Sequence, residues 1–181
     1  VNTLNKKTGF EIYEIFQDFK QKKLIEKIGV SIYSPDDYFN LSSKYNFDLV
    51  QLPLNAFDNR AHNSGLIDHL YKNKIEIHAR SVFLQGILIN SVEKLPRQLN
   101  ELTEPLREWH GWLDKNNIPP ILGCLVHVLS YKKIAKFIIG IENHAQLQEV
   151  GDLLLNLDLK KIAIADSFNI TDDNLIDPRK W

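Results

Sequence analysis

Residues 27–52, KIGVSIYSPDDYFNLSSKYNFDLVQL, decide the fold. They contain two apolar runs, Lys27–Tyr33 and Phe47–Leu52, which are rich in Ile, Val, Leu and Phe and are bounded by polar residues, as buried strands are. A helix begins between them. Ser34 is placed to cap it, Pro35 occupies the first turn, where a missing N–H does no harm, and acidic residues follow. The stretch therefore predicts a strand, a helix and a second strand.

The same alternation continues along the chain. Further strands are predicted at Ile75–Arg80 and Lys136–Gly140. Near the end of the chain, Lys160–Ala165 is interpreted as a strand or a helical turn, and Asp172–Trp181 as an ordered coil anchored by an aromatic residue. Helices are predicted at residues 10–23, 35–45, 64–73, 99–115, 121–132 and 143–155.

Alternating strands and helices favour a parallel sheet covered by helices, within one domain over residues 1–181. An open four-stranded sheet would leave two unpaired edges, which are costly to expose. We therefore expect α/β architecture with parallel (β/α) units, forming half of a TIM barrel with its helices outside. An open doubly wound sheet is the alternative, weakened because no glycine-rich dinucleotide or P-loop motif follows any strand.

Composition excludes several classes of protein. The 181 residues are 44% apolar and 25% charged with a formal net charge of −1, which argues against disorder and against nucleic-acid or membrane partners. The single cysteine, Cys124, lies in an apolar run and is predicted to be a buried structural thiol. Because no signal peptide or long apolar segment is present, we expect a soluble, cytoplasmic protein. Since the chain begins with Val1 and lacks methionine, we expect a processed or truncated chain.

Side-chain alternation along the strands separates an apolar face from a polar one. The polar set is Ser31, Gln51, His78 and Arg80, and in a barrel it would converge toward the carboxyl ends of the strands, where barrel enzymes place their sites. For Gln51, a functional role and that of a buried structural amide are equally supported, whereas for His78 a satisfied pair with Glu76 is favoured over catalysis. No metal-ligand spacing or catalytic triad is evident.

At these strands the sequence resembles the C-terminal half of the aldo/keto reductase family. Four motifs keep the order and spacing of the fifth to eighth barrel strands, and the end of the chain is similar to endings in a bacterial branch of the family. The matching runs are residues 27–31 (KIGVS), 50–55 (VQLPLN), 79–81 (ARS) with 85–88 (QGIL), 137–149 (FIIGIENHAQLQE) and 175–181 (LIDPRKW).

The resemblance implies an eight-stranded barrel that reduces small carbonyl substrates with NADPH or NADH. The family's catalytic Asp, Tyr, Lys and His lie on the first four units, so the resemblance assigns no catalytic residue to this chain. It therefore implies the C-terminal portion of an oxidoreductase, inactive alone, completed by a missing N-terminal half or by self-association. A non-catalytic half-barrel that serves in binding or assembly is the alternative.

The same resemblance implies the cofactor residues. Ser31 and Gln51 match the residues that hold the nicotinamide carboxamide, and Arg80 occupies the position of a stacking aromatic residue. A planar guanidinium can stack as well, or can bind pyrophosphate. The pyrophosphate loop would be lined by Ser81, Phe83 and Gln85.

The segment after the last strand implies which dinucleotide is preferred. The family commonly grips the 2′-phosphate of NADP with Lys or Arg near Gly140 and Asn143, at a helix N-terminus that favours anions. Here Glu142 stands between them and would repel a phosphate. We therefore predict weak or absent preference for NADP, with NAD binding or a degenerate site as the alternatives.

Overall fold

The computed structural model describes residues 3–4, 6–158 and 168–181, which form an α/β fold with parallel strands. The segment Lys160–Ala165, predicted as a strand or a helical turn, lies outside these residues. The chain divides into two compact units. The first comprises the described residues of Val1–Pro53, Arg60–Ala79 and Lys133–Lys136, and the second those of Leu54–Asn59, Arg80–Lys132 and Phe137–Trp181.

The predicted strands form one sheet in the order β1-β2-β3-β4, and each strand is shorter than predicted. β1 and β2 pair in parallel, with Ser31 opposite Gln51. Just before β1, the backbone N–H of Ile28 donates to a carboxylate oxygen of Asp48 at 2.8 Å, while the carbonyl of Ile28 accepts from the backbone N–H of Asp48 at 2.8 Å. The strands are β1 Gly29–Ser31, β2 Leu49–Pro53, β3 Glu76–Arg80 and β4 Lys136–Phe137.

Burial alternates along the first two strands as the sequence predicts. Ile28, Val30 and Ile32 are 5%, 7% and 1% exposed, whereas Ser31 between them is exposed. The neighbours of Gln51 on β2 are fully buried while Gln51 itself is half-buried. The apolar and polar faces of β1 and β2 are therefore confirmed.

One helix of the first unit begins at the predicted capping residue, and another has no counterpart in the prediction. Ser34 caps α2: its Oγ accepts from the N–H of Asp37 at 3.3 Å, and the Asp37 carboxylate accepts from the N–H of Ser34 at 3.1 Å. The short helix α3 was not predicted. The helices are α1 Lys7–Gln21, α2 Pro35–Ser42, α3 Arg60–Asn63 and α4 Leu66–Lys72.

One helix of the second unit lies in a segment that the sequence predicts to be coil. The predicted coil at Asp172–Trp181 is wrong, because the Asp172 carboxylate accepts from the N–H of Asn174 at 2.8 Å and starts a short helix. The predicted anchoring by an aromatic residue is present, since the indole N–H of Trp181 donates to the carbonyl of Asn174 at 3.1 Å. No described helix is long and apolar enough to cross a membrane. The helices are α5 Thr103–Lys115, α6 Pro120–Ser130, α7 His144–Leu155 and α8 Asp173–Ile176.

The core of the second unit supports a long segment that precedes α5. Trp109 on α5 is fully buried, and its indole N–H donates to the carbonyl of Leu88 at 2.9 Å. α6 approaches α5 closely at Gly123, where an added Cβ would lie 2.4 Å from a methyl carbon of Leu113. This packing fixes one end of the segment that carries several of the candidate cofactor residues.

Candidate functional site

Ser31 and Gln51 lie side by side in the first unit. The hydroxyl of Ser31 donates to the side-chain oxygen of Gln51 at 3.1 Å, because parallel register places the two residues opposite each other. Ser31 is the last residue of β1, and Gln51 is the middle residue of β2. The pair therefore forms a polar hydroxyl–carboxamide group on the less buried face of the sheet.

Arg80 and Ser81 belong to the second unit, at the point where β3 ends. A guanidinium N–H of Arg80 donates to the hydroxyl of Ser81 at 3.1 Å, and both side chains are half-buried. A guanidinium held beside a hydroxyl provides donors in a fixed orientation, which suits phosphate oxygens.

The loop of residues 81–86, called here the 81–86 loop, has an unusual backbone. Ser81, Leu84 and Gln85 have φ values of 57°, 46° and 54°, and Gly86 has a φ of 86°. For a residue with a Cβ the left-handed region costs about 1–2 kcal/mol. Such strain persists only where surrounding contacts enforce it, and it clusters at ligand-binding loops.

Alternate side chains of the 81–86 loop point in different directions. Val82 and Leu84 are 1% and 0% exposed and anchor the loop in the core of the second unit. Ser81 and Phe83 are half-buried, and Gln85 is exposed. The three residues that the resemblance assigned to the pyrophosphate are thus the more accessible ones.

Asn55 is a residue that the sequence reasoning did not select. It is fully buried, its side-chain oxygen accepts from the N–H groups of Phe57 and Asp58 at 3.0 Å each, and its side-chain NH₂ donates to the carbonyl of Ser81 at 3.0 Å. An Asn followed three residues later by Asp, directly after a strand, is a turn signal and could have drawn attention to it.

Gly140 and Asn143 both precede α7 in the second unit, and both are exposed. The side-chain oxygen of Asn143 accepts from the N–H of Gln146 at 3.0 Å, which confirms it as the helix cap. The side chain of Gln146 accepts in turn from the N–H of Glu142 at 2.8 Å. Glu142 therefore immediately precedes the cap of α7, and the N–H of Gln146 in the first turn already has a side-chain partner.

Glu76 on β3 organises a charged cluster in the first unit. Its carboxylate pairs with Lys27, lies 2.6 Å from Nε2 of His78 and 3.7 Å from Nζ of Lys136. The hydrogen bond from Lys27, followed by that from His78, lowers the pKa of Glu76 to about 2. The predicted pairing of His78 with Glu76 is present in the structure.

The single cysteine and two of the tyrosines are buried. Cys124 is fully buried and desolvation raises the pKa of its thiol, so it lacks the thiolate character of a nucleophile. Tyr38 is 3% exposed and burial raises its pKa. Tyr45 is 5% exposed and donates to the carbonyl of Leu4 at 2.8 Å. Among residues 3–4, 6–158 and 168–181, no three His, Cys, Asp or Glu side chains gather as ligands for a metal.

One cavity of about 860 Å³ lies in the first unit, at the amino-terminal ends of the strands. Lys27, Asp48 and Glu76 line it, and each is ion-paired: Lys27 with Glu76, and Asp48 with Lys20 at 2.6 Å. None of the candidate cofactor residues lines this cavity. It is therefore separate from the Ser31–Gln51 pair.

Comparison with known proteins defines the family. Residues 5–170 match the aldo/keto reductase family, and the chain belongs to that family. No curated protein matches the sequence.

Solved structures show the same fold. The chain is similar to the apo form of aldo-keto reductase AKR11C1 from Bacillus halodurans, with a TM-score of 0.70, 17% identity, and coverage of 87% of this chain and 55% of that one. The holo form of the same protein gives 0.65, 16%, 82% and 52%. The thermostable aldo-keto reductase Tm1743 in complex with the inhibitor epalrestat gives 0.56, 16%, 82% and 50%. The chain thus spans about half the length of these relatives.

Proposed function

We propose that this chain holds the dinucleotide of an NAD(P)H-dependent oxidoreductase that reduces small carbonyl compounds, and that residues 1–181 form one domain equivalent to strands five to eight of the barrel. The observation that carries the proposal is the hydrogen-bonded pair of Ser31 and Gln51, 3.1 Å apart in parallel register. Family membership and the coverage of about half of each relative agree with it.

The Ser31–Gln51 pair suits a carboxamide ligand. Because the Gln51 oxygen accepts from Ser31, the Gln51 side chain presents its NH₂ group as a donor. The carboxamide of nicotinamide offers a carbonyl oxygen that can accept such a bond. An amide-to-amide bond fixes which face of the nicotinamide ring meets the substrate.

The second group of residues suits the phosphates of the same ligand. Arg80, Ser81 and Gln85 supply a guanidinium, a hydroxyl and an exposed amide on the strained 81–86 loop. We assign the pyrophosphate to these groups, with Phe83 beside them. Arg80 can also stack on the nicotinamide.

NAD is the dinucleotide that the segment from Gly140 to Asn143 favours. A 2′-phosphate placed there would meet the Glu142 carboxylate, and the N–H of Gln146 in the first turn of α7 already donates to Asn143. Like charges at short range disfavour binding. We therefore propose NAD(H) over NADP(H).

When bound, the cofactor supplies the hydride that reduces the carbonyl. The alkoxide so formed needs a proton donor, and Tyr38 and Tyr45 are buried and unsuited to that role. We propose that the donor, with the rest of the catalytic set, lies in the remaining part of the barrel, and that the protein acts in the cytoplasm.

The experiment is a titration with NADH and with NADPH, read by calorimetry, on the unmodified chain and on Gln51→Leu. The matched control is Gln98→Leu, since Gln98 is an exposed glutamine on a short 3₁₀ helix in the second unit. We expect saturable NADH binding that Gln51→Leu weakens about 10-fold, the effect of one lost hydrogen bond, while Gln98→Leu does not. Absence of binding at millimolar NADH and NADPH contradicts the proposal.

A further inference from the structure

We infer that Asn55 is a positioning residue for the cofactor: its buried side chain holds the Ser81 carbonyl and so keeps the 81–86 loop in the conformation that presents Ser81 and Gln85 to the dinucleotide. The inference rests on the proposed function and goes beyond it. Asn55 itself is fully buried and is not expected to touch the ligand.

Two loops meet where Asn55 contacts Ser81. Two consecutive carbonyls, those of Arg80 and Ser81, accept hydrogen bonds from two consecutive residues. The N–H of Leu54 donates to Arg80 at 3.1 Å, and the side chain of Asn55 donates to Ser81 at 3.0 Å. One residue beyond the end of β3, the side chain of Asn55 thus takes the place that a backbone N–H would have if the strand pairing continued.

The Ser81 carbonyl also has a role inside its own loop. It also accepts from the N–H of Leu84 at 2.9 Å, so both of its lone pairs are used. The bond to Leu84 closes the turn in which Ser81 and Leu84 adopt left-handed backbone angles. Holding this carbonyl therefore holds the turn.

The side chain of Asn55 is held in place by its own loop. Its oxygen accepts from Phe57 and Asp58, and the backbones of Asn55 and Asp58 exchange hydrogen bonds at 3.1 and 3.2 Å. The carboxamide oxygen is therefore held by one loop, while the NH₂ group donates to Ser81. A buried amide whose oxygen and nitrogen are both hydrogen-bonded favours a single arrangement.

The test uses two substitutions that spare the turn and remove the bond to Ser81. Asn55→Asp keeps oxygen acceptors for Phe57 and Asp58 but places a carboxylate against the Ser81 carbonyl. Asn55→Ser keeps a short acceptor without charge and cannot reach Ser81, so it serves if the aspartate variant does not fold. The matched control is Asn59→Asp, because Asn59 is also buried and bonds His127 at 2.9 Å and Tyr131 at 3.0 Å.

Amide hydrogen exchange without any ligand reads the loop directly. We expect exchange in residues 82–90 to quicken by about 10-fold or more in the Asn55 variants, while amides of α5 change less, because local opening is separable from global unfolding. Asn59→Asp should leave residues 82–90 unchanged. Unchanged exchange there in the Asn55 variants overturns the inference.

NADH titration reads the consequence. We expect the Kd to rise about 10-fold in the Asn55 variants and less than about 2-fold in Asn59→Asp. Faster loop exchange with an unchanged Kd also overturns the inference, since Asn55 would then be structural only. If the unmodified chain binds neither dinucleotide, the proposed function fails, and the bracing of the loop stands or falls on exchange alone.

Discussion

The two groups of candidate cofactor residues are built in different ways. Ser31 and Gln51 belong to regular strands, and parallel register alone brings them to 3.1 Å. The 81–86 loop has four residues with positive φ and depends on the side chain of Asn55 for its shape. The first group needs only a sheet, whereas the second needs specific side chains from elsewhere in the sequence.

The two groups also differ in which residues hold the local structure and which offer groups to the ligand. In the strand pair the backbone register defines the geometry, while Ser31 and Gln51 offer the chemistry. In the loop, Ser81 and Gln85 offer the chemistry, while Asn55, Val82 and Leu84 are buried and define the geometry. Substitutions should therefore affect stability very unequally in the two groups.

The largest expected effect is on stability at Asn55. Asn55→Ala removes the acceptor for the buried N–H of Phe57 and the donor to Ser81, and we expect a loss of about 2–3 kcal/mol. Ser31→Ala, at an exposed strand position, should change stability by less than about 0.5 kcal/mol. Urea unfolding of both variants measures the contrast, and equal losses would remove the distinction between the two groups.

The next effect concerns the backbone of the loop. Gly86→Ala places a Cβ at a φ of 86° and 3.2 Å from the side-chain nitrogen of Asn90, so we expect destabilisation of about 1–2 kcal/mol. Gly111→Ala is the control, because Gly111 lies inside α5 with open space around it and should gain about 0.5–1 kcal/mol. Thermal unfolding distinguishes the two signs. A stabilising Gly86→Ala would show that the loop relaxes freely.

A smaller effect concerns the choice of dinucleotide. Glu142→Lys should raise the affinity for NADPH relative to NADH by about 3- to 10-fold, because a repelling charge becomes an attracting one at a partly screened site. Glu149→Lys makes the same change of charge at an exposed position later in α7. Parallel titrations decide the matter, and equal responses of the two variants would indicate a general charge effect only.

The smallest effect is a dependence of stability on pH. The pKa of Glu76 is about 2 in the folded chain against an ordinary 4.5, so its contribution is present above pH 4.5 and is lost as the pH falls toward 2. Glu76→Gln should therefore flatten the fall in melting temperature across this range. Glu11→Gln, at an exposed position on α1, is the control. An unchanged acid slope in Glu76→Gln would contradict the role given to its partners.

Sequence reasoning succeeded where local rules determine structure. The cap at Ser34 and the buried alternation of Ile28, Val30 and Ile32 follow from residue types and a period of two. Because these features determine the strand faces, the proximity of Ser31 and Gln51 could be predicted from the sequence.

It failed where structure depends on partners distant in sequence. Asn55 and Ser81 are separated by 26 positions, and no local pattern announces the bond between them. The left-handed angles of Leu84 and Gln85 oppose their intrinsic preferences and exist because buried contacts enforce them. The short helix Asp173–Ile176 depends on a single capping carboxylate, which compositional reading of the segment overlooked.

The most direct measurement of the central claim is NMR observation of the chain during titration with NADH. We predict that the side-chain NH₂ signals of Gln51 and the backbone amides of residues 82–86 shift together and saturate at one ligand concentration, while signals of α1 stay in place. Shifts that saturate without the Gln51 side chain or without residues 82–86 would contradict the account.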